Sequence, residues 1–135
     1  MSIYSDIRTA LETRLYNTSN IPVVAWENVD YSPTTGTPFV KFQFQPTSRR
    51  PAVRGTNPQM RYQGLVTLLV HQPENEGPIN TEELVDDLVS RFDATTDISY
   101  NGIFVRIEYT ERQNSYLSKP WYVTPIRIGW YSYAQ

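Results

Sequence analysis

His71 is the first residue to consider for chemistry, because it is the single histidine of the chain and any histidine-based triad or metal site would need it. Glu74 follows three positions later, and a histidine beside a carboxylate can bind a metal ion or transfer a proton. The two residues enclose Pro73 at the exit of a predicted strand. Their side chains need not converge there, and the pattern favours an ordinary residue at a strand end.

Two pairs of neighbouring carboxylates form the next candidate site, since closely spaced acids can bind a hard cation or act in general acid–base catalysis. The pairs are Glu82-Glu83 and Asp86-Asp87. They lie near the start of a predicted helix, where the helix dipole stabilises negative charge. A solvated acidic face is the leading interpretation, and weak binding of a divalent cation or of a basic protein partner is the alternative.

Sequence motifs for other kinds of catalysis are absent. The six glycines form neither a phosphate-binding loop nor the Gly-x-Ser-x-Gly motif of a hydrolase nucleophile. The chain has no cysteine, which excludes a disulfide framework and a thiolate metal site. We therefore expect that the protein is not an enzyme and has no cofactor.

A basic segment between residues 41 and 61 is the third candidate site, with five positive charges and no acid. These charges are Lys41, Arg49, Arg50, Arg54 and Arg61. They could pair with carboxylates of a partner protein, stay solvated, or bind phosphates of a nucleic acid. The segment lacks the interleaved aromatic residues of a single-strand binder, and the net charge of −2 is not that of a nucleic-acid-binding domain. We expect no specific nucleic-acid binding.

Hydrophobic periodicity places these residues in a single α+β domain over residues 1–135. Two amphipathic helices, at about 2–16 and 80–92, each carry one apolar stripe, so both should pack on one face of a sheet. The sheet is predicted to be mainly antiparallel, with about five strands and the element order α-β-β-β-α-β-β. The predicted strands lie at about 23–28, 39–45, 65–70, 103–109 and 121–133, with an Asn101-Gly102 turn before the fourth.

The segment at about 46–60 is predicted to be a long exposed loop between two strands of a hairpin. It contains three prolines, one glycine and three of the arginines, and it has few aliphatic residues. A structureless loop of this length is uncommon in a compact domain and is usually functional or ordered only on binding.

The strand and helix within residues 61–92 organise the predicted domain. Residues 65–70 are apolar on both faces, which predicts a central strand covered from two sides. Asn80 is predicted to cap the following helix with Glu83 as its capping-box partner, while Ile79 and Leu84 form a hydrophobic staple.

Aromatic residues crowd the last predicted strand and alternate between its two faces. They are Trp121, Tyr122, Trp130, Tyr131 and Tyr133. The helices can cover only one face, and tyrosine and tryptophan are enriched in protein interfaces. Trp130 and Tyr131 are therefore predicted contacts with a subunit or partner, and long loops that bury the aromatics in part are the alternative.

The order of these segments resembles that of the tail terminator proteins of long-tailed, non-contractile phages, the lambda minor-tail-protein-U-like family. The likeness extends over nearly the whole chain and is carried by hydrophobic patterns and turns in the same order. The segments are A-L-x-x-R-L at 10–15, V-V-A-W-E-N at 23–28, T-P-F-V-K-F at 37–42, R-Y-Q-G-L-V-T-L-L-V at 61–70, V-S-R-F at 89–92 and W-Y-V-T-P-I-R-I-G-W-Y at 121–131.

The resemblance implies a structural protein that forms a ring, commonly a hexamer, at the head-proximal end of the tail. Such a ring stops polymerisation of the tail tube and binds the head connector, so the implied partners are the chain itself, the tube protein and the connector. The protein would be made in the host cytoplasm and end in the virion. No part of it would enter a membrane. The acid pairs of residues 82–87 add the expectation of no cofactor beyond a weak effect of divalent cations on assembly.

Opposite charge in the segments 41–61 and 74–97 agrees with head-to-tail packing of subunits, in which unlike surfaces meet. The candidate subunit or partner contacts are accordingly Arg49, Arg50, Arg54, Arg61, Glu82, Glu83, Asp86, Asp87, Trp130 and Tyr131. Two other functions stay open at this point. One is a different neck or head-closure component, and the other is a nucleic-acid-binding module that uses the arginines.

Overall fold

The computed structural model describes residues 2–18, 21–53, 55, 58–75, 77, 79–94 and 97–134. These residues include two helices of similar length. Helix α1 (Ile3–Tyr16) begins after Ser2, whose side chain accepts a hydrogen bond from the backbone N–H of Ser5. Helix α2 (Ile79–Arg91) lies between the third and fourth strands. Each helix buries one stripe of residues, as its periodicity predicts.

The strands form one sheet that is antiparallel except at one edge. Its order is β1-β2-β3-β7-β5-β4, with β6 paired to one end of β7, and only the β1–β2 pair is parallel. The strands are β1 (Val23–Ala25), β2 (Phe39–Pro51), β3 (Met60–Pro73), β4 (Asp97–Tyr100), β5 (Ile103–Arg112), β6 (Tyr116–Ser118) and β7 (Trp121–Ala134).

The predicted α+β class, with two helices and a mainly antiparallel sheet, is confirmed. The predicted turn is confirmed too, because Asn101 and Gly102 have φ angles of 54° and 82° between the paired residues Tyr100 and Ile103. Among the described residues the sheet has seven strands, whereas about five were predicted. The two strands that were not predicted, β4 and β6, are short. Segments of this length carry too little periodicity to be recognised in a sequence.

The hydrophobic core lies between the two helices and one face of the sheet. Its fully buried side chains include Ile7, Leu11, Leu15, Phe42, Leu68, Leu88, Phe92, Ile126, Ile128 and Trp130. The other face, called here the helix-free face, carries a smaller buried cluster of Ala25, Phe39, Trp121 and Val123. The fold therefore has one principal core and one partly covered sheet face.

The two helices are joined at their C-terminal ends by a reciprocal pair of arginine contacts. Arg14 Nε donates a hydrogen bond to the backbone carbonyl of Arg91 at 3.0 Å, and Arg91 Nε donates to the carbonyl of Arg14 at 3.2 Å. Each cation thus satisfies a carbonyl at the negative end of the neighbouring helix dipole. Burial, followed by the charge of Arg91, lowers the pKa of Arg14.

The predicted loop at 46–60 is wrong at its start, because β2 continues to Pro51 and pairs there with Met60. Pro46 is tolerated in the strand because a β-bulge lies between Pro46 and Ser48, where the regular ladder of hydrogen bonds is interrupted. The connection between the two strands is limited to residues 52–59, and the sequence alone does not show that a proline will lie at a bulge.

The predicted start of α2 is also wrong. The helix begins at Ile79, so Asn80 lies inside the first turn and not at the N-cap. The side chain of Ile79 is 70% exposed and does not form the expected staple with Leu84. A hydrophobic staple needs its first residue before the N-cap, and Ile79 is instead the first residue of the helix.

The prediction that residues 65–70 are covered from both sides is wrong as well. Val66, Leu68 and Val70 are fully buried under the helices, whereas Leu65 and Leu69 on the helix-free face are half-buried. Among the described residues no helix packs over that face. Neighbouring strands shield Leu69 from the sides, since Lys41 and Pro125 are its partners in the sheet.

Candidate functional site

His71 lies on the helix-free face and packs as a strand residue. Its ring is stacked on Phe39, with the ring centroids 4.2 Å apart, and its Nδ1 lies 3.0 Å from the backbone carbonyl oxygen of Leu69. No hydrogen bond or ion pair joins it to Glu74 in the part of the chain that the structure describes. Nor do three or more metal-ligating side chains cluster anywhere among those residues.

Burial lowers the pKa of His71, while its hydrogen bond to Leu69 opposes this and the charge of Lys41 adds to it. A folded pKa below the unfolded value means that the unfolded state binds more protons as the pH falls. We expect His71 to contribute stability that is present above about pH 6.5 and is lost on acidification through the folded pKa.

Urea unfolding at several pH values between about 5.5 and 7.5 checks this expectation. Wild-type stability should fall toward the acidic end, and the fall should be smaller in His71→Phe, which keeps a ring against Phe39. Equal slopes for the two proteins would contradict the assignment. Glu12, whose pKa is raised by burial, acts in the opposite direction and is common to both proteins.

One of the four paired carboxylates of α2 forms an ion pair, and the other three form none among the described residues. Glu82 forms an ion pair with Arg112 of β5. Glu83, Asp86 and Asp87 are exposed, and no ion pair involves them among the residues described. Together with the exposed Ile79 they form a surface on the outside of α2, called here the acidic helix surface.

The basic segment does not form one patch, because the alternation of the strands divides it between the two faces of the sheet. Arg49 Nε donates to the hydroxyl of Tyr62 at 3.0 Å on the helix side, and this hydrogen bond raises the pKa of Arg49. Arg50, its neighbour, is exposed. Arg54 lies outside the described residues.

Arg61 is held within the protomer on the helix-free face. Its guanidinium lies 4.5 Å from the ring centroid of Tyr131 and donates to the hydroxyl of Tyr133 at 3.1 Å. It also forms an ion pair with Glu108 at 3.4 Å. These contacts leave Arg61 less available to a partner than the sequence implies.

The two aromatic candidates lie on opposite sides of β7. Trp130 is fully buried in the core and stacks on Phe44, with centroids 5.3 Å apart. The prediction that Trp130 contacts a partner is therefore wrong, since its side chain has no exposed surface. Tyr131 is half-buried on the helix-free face, where it stays a candidate.

A crevice of about 420 Å³ lies beside the β1–β2 edge and is lined by residues such as Trp26, Glu27 and Lys41. The Glu27 carboxylate accepts hydrogen bonds from the backbone N–H of Phe44 at 2.6 Å and from Arg8 at 2.9 Å. Glu27 thus takes the place of a strand partner just after β1 ends. Its role there is structural.

A shallow groove of about 520 Å³ crosses the centre of the helix-free face and is called here the sheet groove. Three apolar residues line it, Leu65, Leu69 and Pro125, and Arg127 lines one side. The other lining residues are uncharged and polar: Gln43, Gln45, Thr67 and Gln113. Lys41, next to Leu69 in the sheet, stands at its rim. Sequence reasoning counted Lys41 only as part of the basic segment and missed Arg127, because the strand pairing that brings both to one groove is not visible in the sequence.

Comparison with known proteins identifies the family of the chain. Residues 6–130 match the family model described as phage tail terminator protein. The chain belongs to the phage tail terminator protein family. A solved structure with 21% sequence identity matches at a TM-score of 0.74 and covers 96% of this chain and 94% of its own, which supports the fold alone. No curated protein matches the sequence.

Membership of the tail terminator family confirms the resemblance found in the sequence. The family consists of structural proteins of phage tail assembly, so this tail terminator is a component of the virion tail that interacts with the tail tube. In the described part of the chain no helix has the length and apolar character needed to cross a membrane.

Proposed function

We propose that this tail terminator forms a ring, a hexamer by its resemblance to lambda minor tail protein U, that caps the head-proximal end of the tail tube. The ring stops further tube polymerisation and provides the surface to which the head connector binds. The observation that carries the proposal is the family match over residues 6–130, which leaves few residues of the chain unmatched.

The distribution of unpaired charge supports ring formation. Among the described residues Glu83, Asp86 and Asp87 have no ion pair and lie on the exposed side of α2, whereas Lys41 and Arg127 lie on the helix-free face. Unlike surfaces on different sides of a protomer favour a head-to-tail contact, and such contacts close into a ring when the rotation between subunits permits it.

The end of the β2–β3 hairpin is the second surface in the proposal. Beyond Lys41 no β1 residue pairs with β2, so the strand continues to Pro51 as an edge that carries the exposed Arg50. An unpaired edge strand is suited to contact with another chain. We assign this edge to a neighbouring subunit or to the tail tube.

Electron microscopy of particles that lack this protein tests the assignment to tail termination. Tails longer than those of the wild type are expected, because nothing then stops the tube. Tails of normal length that fail to join heads would contradict termination and would instead assign the chain to another neck component.

Sedimentation of the purified chain tests ring formation over a range of concentrations. A concentration-dependent oligomer is expected, and added tail-tube protein should favour it. Monomer under every condition, with and without divalent cation and tube protein, would overturn the ring.

A further inference from the structure

The sheet groove is a mixed surface, in which Leu65, Leu69 and Pro125 lie among polar side chains beside a basic rim, and nothing within the protomer covers it among the described residues. Leu65 and Leu69 of its floor are only half-buried, which leaves apolar area open to solvent on a central strand. Lys41 and Arg127 are both exposed, and neither has an ion pair in the described chain. A groove with half-buried aliphatic side chains, uncharged polar residues and a charged rim has the mixed composition of a protein interface.

The charge around the groove is positive after internal pairs are removed. Arg61 and Arg106 on the same face are paired with Glu108 and Asp97. Glu111 stands opposite Arg127 in the strand pairing and has no ion pair among the described residues. Lys41 and Arg127 therefore outnumber the unpaired acid, and an acidic ligand surface is favoured.

The acidic helix surface has the complementary composition. Glu83, Asp86 and Asp87 supply negative charge, and Ile79 supplies an apolar side chain that is 70% exposed at the N-terminal end of the same helix. A strongly exposed isoleucine beside three acids matches a groove in which Leu65, Leu69 and Pro125 lie beside two cations. Electrostatic complementarity of this kind gives specificity and register to an association.

The two surfaces cannot meet within one protomer, because α2 packs on one face of the sheet and the groove lies on the other. A contact between them requires two copies and is heterologous, since each copy uses a different surface. We propose that the acidic helix surface of one copy docks into the sheet groove of the next copy. The inference rests on the proposed ring and specifies which surfaces form its subunit contact.

Charge reversal on one side at a time tests the proposed contact. The helix variant carries Asp86→Lys and Asp87→Lys, and the groove variant carries Lys41→Glu and Arg127→Glu. Each variant alone places like charges opposite each other, so its dissociation constant for assembly should rise on the order of 100-fold. Thermal melts followed by circular dichroism establish that each variant is folded.

Mixing the two variants in equal amounts should restore assembly. The reversed helix of one then faces the reversed groove of the other, and the unchanged helix of the second faces the unchanged groove of the first. An even-numbered ring of alternating subunits satisfies every contact. A matched control compares Lys119→Glu, at an exposed lysine outside the groove, with Lys41→Glu, which makes the same change in net charge at the groove rim. Lys119→Glu should assemble as the wild type does, whereas Lys41→Glu should weaken assembly.

Failure of this inference and failure of the proposed function give different results. A wild-type ring with two folded variants that either assemble unaided or fail to assemble on mixing would overturn the docking of α2 into the groove and leave the ring intact. A wild-type chain that stays monomeric, even with tail-tube protein, would overturn both.

Discussion

Trp130→Ala is expected to destabilise the folded protomer by about 3–5 kcal/mol, an effect on folding that precedes any effect on assembly. Trp130 is fully buried and its ring lies parallel to that of Phe44, at an interplanar angle of 6°. Removing it leaves a large cavity between the sheet and the helices. A loss of this size is a large share of the stability of an ordinary domain.

Urea denaturation of Trp130→Ala and Tyr131→Ala measures the contrast between adjacent positions. Tyr131→Ala should change the free energy of unfolding by only about 1 kcal/mol, because the side chain is half-buried on the other face. Trp130→Ala with a wild-type midpoint but no assembly would return Trp130 to the set of partner contacts.

The conservative variant Trp130→Phe separates volume from hydrogen bonding. Trp130 Nε1 is buried, and no hydrogen-bond partner for it is found in the described part of the chain. Phenylalanine removes this unsatisfied donor along with some volume, so its cost should be well below that of alanine. The three variants together assign the effect to packing.

Gly64→Ala is expected to destabilise the protomer by about 3 kcal/mol, near the upper end for an overpacked site. A Cβ atom at position 64 would lie 2.5 Å from the carbonyl oxygen of Gln45, 2.7 Å from the Trp130 ring and 2.8 Å from Cα of Pro46. Two of these atoms belong to the backbone at the β2 bulge. They cannot move without disturbing the β2–β3 pairing, which explains why only glycine fits there.

Gly129→Ala is the matched control for Gly64→Ala. The three atoms nearest to a Cβ atom at position 129 all belong to the ring of Tyr109, a half-buried side chain on the helix-free face. A side chain there can rotate away, so the expected loss is about 1 kcal/mol. Thermal unfolding of both variants gives the comparison, and equal losses would show that the bulge backbone is more yielding than its contacts imply.

Hydrophobic periodicity predicted the helices and strands correctly where the local pattern agrees with the burial of the residues in the fold. Helix α1 and strands β5 and β7 lie close to their predicted positions, because each has an apolar stripe or alternation long enough to be recognised. Strand β3 is found too, but it extends over Met60–Pro73, well beyond the predicted 65–70. The Asn101-Gly102 turn was equally clear, since its backbone geometry favours those two residues. The family resemblance depends on the same patterns in the same order.

Predictions from the local sequence pattern failed where a residue outside the segment determines the structure that the segment adopts. Pro46 reads as a strand terminator, yet the bulge opposite Gly64 accommodates it. Ile79 reads as a staple, yet it is the first residue of α2 and its side chain is exposed. Trp130 reads as one aromatic residue among several, and only its position opposite Phe44 in the core distinguishes it from Tyr131.

The sequence by itself determined the α+β class, the two helices on one sheet face, the absence of catalytic motifs and the kinship with tail terminators. These depend on local periodicity and residue type, which the linear chain contains in full. Only the tertiary structure decided which charges are free. Strand pairing tied Arg49 to Tyr62 and Arg61 to Tyr131, and it left Lys41 and Arg127 at one groove on the face opposite the acids of α2. Register between distant strands sets these contacts, and no local stretch of sequence specifies it.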